Sequence, residues 1–121
     1  FEEDLPWGDK GFVLESVRED GDALAHASEE LRGDPEVVLE AVREAGHALQ
    51  HAALALRRDR AIVLESVGQH GGALRYAAEE LRGDREVVLR ALGQSGIALQ
   101  YASTDLLGDK EVMLQAVRQR P

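Results

Sequence analysis

The chain repeats itself every 25 residues. The stretch Gly8–Leu14 returns at Gly33–Leu39, Arg58–Leu64, Gly83–Leu89 and Gly108–Leu114, with no insertion between copies. A fixed period of this length marks an array of small units, each too small to bury its apolar face alone. Residues 1–8 read as the tail of a preceding repeat or an N-terminal cap. Residues 9–33, 34–58, 59–83 and 84–108 read as four full repeats, and 109–121 as the first helix of a fifth.

The columns of this alignment have physical meanings. The first is Asp in every copy: Asp9, Asp34, Asp59, Asp84 and Asp109. An Asp carboxylate accepts bonds from the first free N–H groups of a helix, so each predicts an N-cap. Pro35 suits the first helical position, and Glu36, Glu86 and Glu111 suit the positive end of the helix dipole. In the second copy Val38, Leu39 and Val42 mark an apolar face, opposite Glu40, Arg43 and Glu44. Gly21, Gly46, Gly71 and Gly96 recur where the helix should stop, as a left-handed C′ position would require. A second, shorter helix then follows, with Ala48, Leu49 and Ala52 on one small-residue face. Ser28 and Ser103 are placed to cap a final turn. Arg58 stands where other copies have Gly33, Gly83 and Gly108, so that junction needs no positive φ.

Helices this short are marginal alone, since isolated helices need about 12–15 residues. The expected fold is therefore all-α: an α-solenoid of stacked short helical hairpins, four full copies plus partial ends. Stacking should bury Leu14, Leu39, Leu64, Leu89 and Leu114 as one column. Leu24, Leu49, Leu74 and Leu99 form a second, and Leu31, Leu56, Leu81 and Leu106 a third. Hydrophobic residues are 44% of the chain but aromatics only 4%, which suits stacked Ala/Leu/Val hairpins.

The units resemble the tandem repeats of the domain of unknown function 4116 family. The likeness is clearest in Asp84-Arg85-Glu86-Val87-Val88-Leu89-Arg90-Ala91-Leu92 with Gly96-Ile97-Ala98-Leu99-Gln100-Tyr101-Ala102-Ser103, and in the tail Glu79-Glu80-Leu81-Arg82. It runs in phase from residue 9 to residue 120. Gly11 and Ala61 depart from it at the first-turn Glu, and Leu54-Ala55 at the acidic pair. The resemblance implies tandem helical repeats and no reaction.

Composition narrows the function classes. The chain has no cysteine, hence no disulfide, thiolate metal site or Cys nucleophile. No apolar run approaches the ~20 residues needed to span a bilayer. Nothing points to a compartment, and Phe1, which is not an initiator Met, leaves room for a processed leader. The net charge of −9 opposes binding to phosphate backbones. Residues 1–8 carry −3 of it and residues 9–33 carry −4, so the acidity is concentrated at the N-terminal end.

No catalytic constellation is present, and no cofactor-binding or metal-binding residues are assigned. His47 and His51, four apart, would share the face of an α-helix. A zincin pair carries Glu beside the first His, and Ala48 stands there instead. The paired acids Glu29-Glu30 and Glu79-Glu80 read as solvated charge beside Arg32 and Arg82. His26, His51, Tyr76 and Tyr101 occupy one column, one repeat after Phe1. They read as either a strip for a partner or rings that cover the seams between units. Side chains that vary between copies lie beside them: Asp22, His47 and Ile97, and Ala25, Gln50, Arg75 and Gln100. His26, His47, Gln50, His51, Arg75, Tyr76, Ile97, Gln100 and Tyr101 are accordingly the candidate partner-binding residues. The expected role is a non-enzymatic scaffold for protein–protein interaction, with a protein partner or larger assembly and no small-molecule ligand. The alternatives are a structural or linker subunit embedded in a large complex and, third, a nucleic-acid-binding helical repeat.

Overall fold

The computed structural model describes residues 5–119; Phe1, of the aromatic column, lies outside them. Five long helices run through the array: α1 (Lys10–Glu19), α3 (Pro35–Glu44), α4 (Arg60–Gln69), α6 (Arg85–Gln94) and α7 (Lys110–Arg118). Each opens on its Asp. The carboxylate of Asp9 accepts from Phe12 N, Asp34 from Glu36 N, Asp59 from Ile62 N, Asp84 from Glu86 N and Val87 N, and Asp109 from Val112 N. Two short α-helices, α2 (Glu29–Arg32) and α5 (Glu79–Arg82), close the first and third units. The second and fourth close on 3-10 turns, Leu56–Arg58 and Thr104–Gly108. Ser28 and Ser103 cap their final turns. No strand occurs among the described residues, and no helix there is long and apolar enough to cross a membrane.

The second helix of each unit differs from the sequence expectation. Gly21–His26, Gly46–His51, Gly71–Tyr76 and Gly96–Tyr101 are 3-10 helices, not α-helices. A 3-10 helix repeats every three residues, so positions i, i+3 and i+6 lie above one another. Gly46, Leu49 and Ala52 are spaced in this way and are all buried; so are Gly21, Leu24 and Ala27, and Gly71, Leu74 and Ala77. This Gly-x-x-Leu-x-x-Ala stripe has period three, which the tighter helix keeps facing the core, and Ala48 and Ala73 are buried beside it.

The glycines that open these segments are needed for closeness, not for a left-handed backbone. No described residue has a positive φ. The chain turns instead at the preceding residue, which is extended: φ is −151° at Asp20, −145° at Ala45, −146° at His70 and −159° at Ser95. The glycine then lies flat against the next unit's long helix. A Cβ on Gly21 would sit 2.5 Å from the Ala41 carbonyl oxygen, and one on Gly46 2.5 Å from that of Ser66. Gly71 is pressed equally hard against Ala91. The hydroxyl of Ser66, itself buried, donates to Gly46 O at 2.6 Å.

The core is a set of stacked columns. Val13, Val38, Val63 and Val88 form one, Val17, Val42, Val67 and Leu92 another, Leu24, Leu49 and Leu74 a third, and all are fully buried. Leu31, Leu56 and Leu81 are buried beside them. The expected column of Leu14, Leu39, Leu64 and Leu89 is only partly buried, and Leu114 is exposed. The cause is angular. The α3 core face is centred between Val37, Val38, Ala41 and Val42, and one further step of about 100° carries Leu39 to its flank.

Two polar devices set the register between units. One is a backbone ladder that links successive terminal turns: Ser28 N donates to Trp7 O at 2.9 Å, Ala53 N to Arg32 O at 2.9 Å, Ala78 N to Arg57 O at 2.9 Å and Ser103 N to Arg82 O at 2.8 Å. The other is an ion clamp from the first residue of one long helix to the N-cap Asp of the next and the Glu two residues on. Lys10 reaches Asp34 at 3.1 Å and Glu36 at 2.8 Å. Arg60 reaches Asp84 at 2.7 Å and also Glu86, and Arg85 reaches Asp109 at 2.6 Å and also Glu111. Between units two and three both members are replaced together, by Pro35 and Ala61.

The clamp makes the array acid-sensitive. The Arg60 guanidinium holds the Asp84 carboxyl below its ordinary value, against the cost of removing it from water, and backbone N–H donors from Val87 and Glu86 add to this. Asp109 is lowered first by Arg85 and then by Val112 N. A carboxylate whose folded pKa is depressed contributes stability above its unfolded value of about 3.9, and loses it as pH falls through the folded one. Melting temperature should therefore fall as pH drops from about 5 towards 2. Asp84→Asn keeps a capping side chain and removes the charge, so the slope should flatten. At neutral pH that variant should lose at most about 1 kcal/mol, less in high salt. A fall in stability that is as steep in Asp84→Asn as in the parent would show that the clamp does not carry the effect.

Candidate functional site

The 3-10 segments stack to form one edge of the array, and all nine candidate partner-binding residues lie on them. The edge has two halves of different chemistry. In the N-terminal half Asp22 is the hub. His47 Nε2 lies 2.9 Å from its Oδ2, and His51 Nε2 3.6 Å from its Oδ1. Both histidines thus reach back to one carboxylate of the preceding unit. Helical spacing suggested a shared α-helical face; the shared feature is instead Asp22. Burial lowers the His51 pKa, partly offset by the attraction of Asp22. The His47 ring meets the His70 ring edge-on at 5.6 Å. Gln50 folds back on His47 O. His26 is exposed and packs its ring against Trp7 at 5.2 Å, and Trp7 meets Phe12 edge-on at 5.0 Å.

In the C-terminal half the hub is Arg75. Its guanidinium lies 5.2 Å from the centre of the Tyr76 ring and 5.6 Å from that of Tyr101. One cation therefore links the aromatic side chains of units three and four. Both tyrosines are half-buried and pack against the core. Arg75 and Tyr76 also line an open groove of about 960 Å³, together with Leu54, Arg57, Arg58 and Ser103. Arg57 is committed to the frame, donating to Ala52 O at 3.1 Å and to Gln50 O. Ile97 and Gln100 continue the edge at its C-terminal end, both exposed.

Asp22, His70, Trp7 and Arg57 are absent from the nine candidates, and two of them, Asp22 and Trp7, carried a signal. Neighbours in one column of a stacked array become neighbours in space. Asp22 and His47 are such a pair, and their opposite polarity marks a contact across a seam. Trp7 shares the column of Arg32, Arg57 and Arg82, whose carbonyls build the backbone ladder. Arg57's use of its guanidinium within its own unit had no signal in the spacing.

Among the described residues no group of three or more His, Cys, Asp or Glu is placed to hold a metal ion. Glu29, Glu30, Glu79 and Glu80 are exposed. What the edge offers is a row of weakly paired polar and aromatic side chains on a constant frame.

That frame has relatives. The model of a domain of unknown function, DUF4116, matches residues 9–57, 35–82, 59–107 and 84–121. The chain belongs to the DUF4116 family. The four matches overlap and start on or next to an N-cap Asp, and the first three each cover about two stacked units. No curated protein and no solved structure matches the chain.

Proposed function

We propose that this DUF4116 chain is a non-enzymatic helical-repeat module that binds another protein along the edge built by its 3-10 segments. One observation carries this reading. The frame is constant from unit to unit, while the side chains it displays on that edge change: Asp22, His47, Gly72 and Ile97 share one column, and Ala25, Gln50, Arg75 and Gln100 another. Repeat proteins distribute recognition in this manner, as a continuous surface with independently variable positions. Arg75, Tyr76 and Tyr101 supply residue types enriched among the dominant contacts of protein interfaces.

The test is affinity capture from the native source with three baits: the parent chain, Arg75→Glu and Ile97→Ser. Ile97 is 64% exposed and Arg75 is exposed, so neither change should unfold the array. A partner that binds through this edge should lose about 2 kcal/mol or more with Arg75→Glu, measured by titration calorimetry. A partner retained equally by all three baits would overturn the reading. A second reading, an embedded structural subunit, draws on the exposed apolar side chains Leu107, Leu114 and Val117. It predicts that the isolated chain associates in size-exclusion chromatography, where the mobile module stays monomeric.

A further inference from the structure

One column of the 3-10 edge reads Asp22, His47, Gly72, Ile97. Where units one and two meet, the Asp22 carboxylate reaches across the seam. His47 Nε2 lies 2.9 Å from its Oδ2 and His51 Nε2 3.6 Å from its Oδ1. Where units three and four meet, Gly72 stands in the place of Asp22, and Ile97 and Tyr101 stand in the places of His47 and His51. Gly72 brings no side chain, and this seam holds a cleft of about 230 Å³ with Gly72, Ile97 and Tyr101 in its wall. A Cβ added at Gly72 would meet nothing closer than His70 Nε2, at 3.4 Å. The constant frame therefore has a carboxylate at one seam and open space at the equivalent point of another.

We propose that the cleft at Gly72 receives the carboxylate of a Glu or Asp side chain from a protein partner, held by Arg75 and His70 in the place that Asp22 fills between units one and two. The inference rests on the protein-binding reading of this edge and names the chemistry that the reading leaves open. Charge complementarity carries it. In a chain of net charge −9, no Asp or Glu is among the residues that line this cleft, while Arg75 and His70 are. The Arg75 guanidinium lies over the rings of Tyr76 and Tyr101 and has no hydrogen-bond acceptor among the described residues. A guanidinium in that position keeps its in-plane N–H groups for a forked bond to a carboxylate. Tyr76 and Tyr101 line the same cleft, and their phenol hydroxyls are further donors. At the rim Ile97 is 64% exposed. It offers apolar surface to the residue beside the acid, which a peptide covers and a free small acid does not.

The experiment titrates the full chain with the capped peptide acetyl-Gly-Leu-Glu-Leu-Gly-amide and with its Gln counterpart, followed by the NMR shifts of the Gly72 and Tyr101 amides and the Arg75 Nε–H. The Glu peptide should shift all three with a Kd in the millimolar range, and the Gln peptide should bind about tenfold more weakly. Arg75→Gln, at an exposed position, should weaken the Glu peptide by a similar factor. Gly72→Asp places the chain's own carboxylate in the cleft and should also weaken it about tenfold. Equal shifts by the two peptides, or none from either at about ten millimolar, would overturn the proposal. So would self-association of the parent chain that Gly72→Asp abolishes, because the occupant would then be a second copy. Failure of this inference is separable from failure of the reading beneath it. A natural partner that Arg75→Glu loses, but that Gly72→Asp retains as well as the parent does, would leave the edge as a binding surface and remove the carboxylate from this cleft.

Discussion

Gly46→Ala is expected to destabilise the array by about 3 kcal/mol, while Gly93→Ala should stabilise it by about 0.5–1 kcal/mol. Both changes add one methyl group. At Gly46 the new Cβ would lie 2.5 Å from Ser66 O and 2.9 Å from the Cβ of His70. One of these contacts is backbone, so relief requires α4 to move away from the 3-10 segment. That movement opens the buried hydrogen bond from Ser66 to Gly46 O and loosens Val42 and Val63 behind it. At Gly93, inside α6, nothing lies within 4 Å of an added Cβ, and Ala has the better helix propensity. Urea denaturation followed by circular dichroism measures both. If Gly46→Ala cost less than about 1 kcal/mol, the close approach would not be what selects glycine at this column. Gly96 has 3.2 Å to its nearest atom, the Ala116 carbonyl oxygen, and should tolerate Ala better than Gly46 does.

This pair also separates what could be read in the chain from what could not. The period, the Asp caps and the order of long and short elements are local or repeated signals, and repetition in phase amplifies them. The role of the glycines was ambiguous. A glycine at a helix end most often supplies a left-handed residue, and sequence alone does not show that the next unit lies against it. The 3-10 segments did carry a signal. In Gly46-x-x-Leu49-x-x-Ala52 the spacing of three is plain once that period is tried, and the expected small face of Ala48, Leu49 and Ala52 is buried. The flank position of Leu39 follows from the same arithmetic applied to Val37, Val38, Ala41 and Val42. The edge was legible as columns, and Asp22 with His47 as one contact, but the other contacts were not. That Asp22 gathers His47 and His51, and that Arg75 lies beside two tyrosine rings, depends on side-chain reach across a seam.

Leu49→Ala should cost about 4 kcal/mol, and Leu99→Ala about 2 kcal/mol. The two residues hold the same place in their units and differ in what surrounds them. Leu49 is completely buried, on a 3-10 segment that packs against those of the units before and after it as well as against α3 and α4. Leu99 is half-buried near the open end. In an array whose stability is a sum of unit terms and nearest-neighbour interfaces, a cavity at an interior unit weakens two interfaces at once. A cavity near the end weakens one that is already incomplete. The consequence extends beyond the size of the loss. Leu49→Ala should divide the array, so that α1 and the long helices beyond α4 exchange their amides at different rates and the urea transition broadens. Leu99→Ala should accelerate exchange only in α7 and its flanking turns, leaving one sharp transition. Equal losses at the two sites, with equal broadening, would mean that this chain unfolds as one globular core rather than as coupled units, and the 25-residue period would then describe its sequence without describing its energetics.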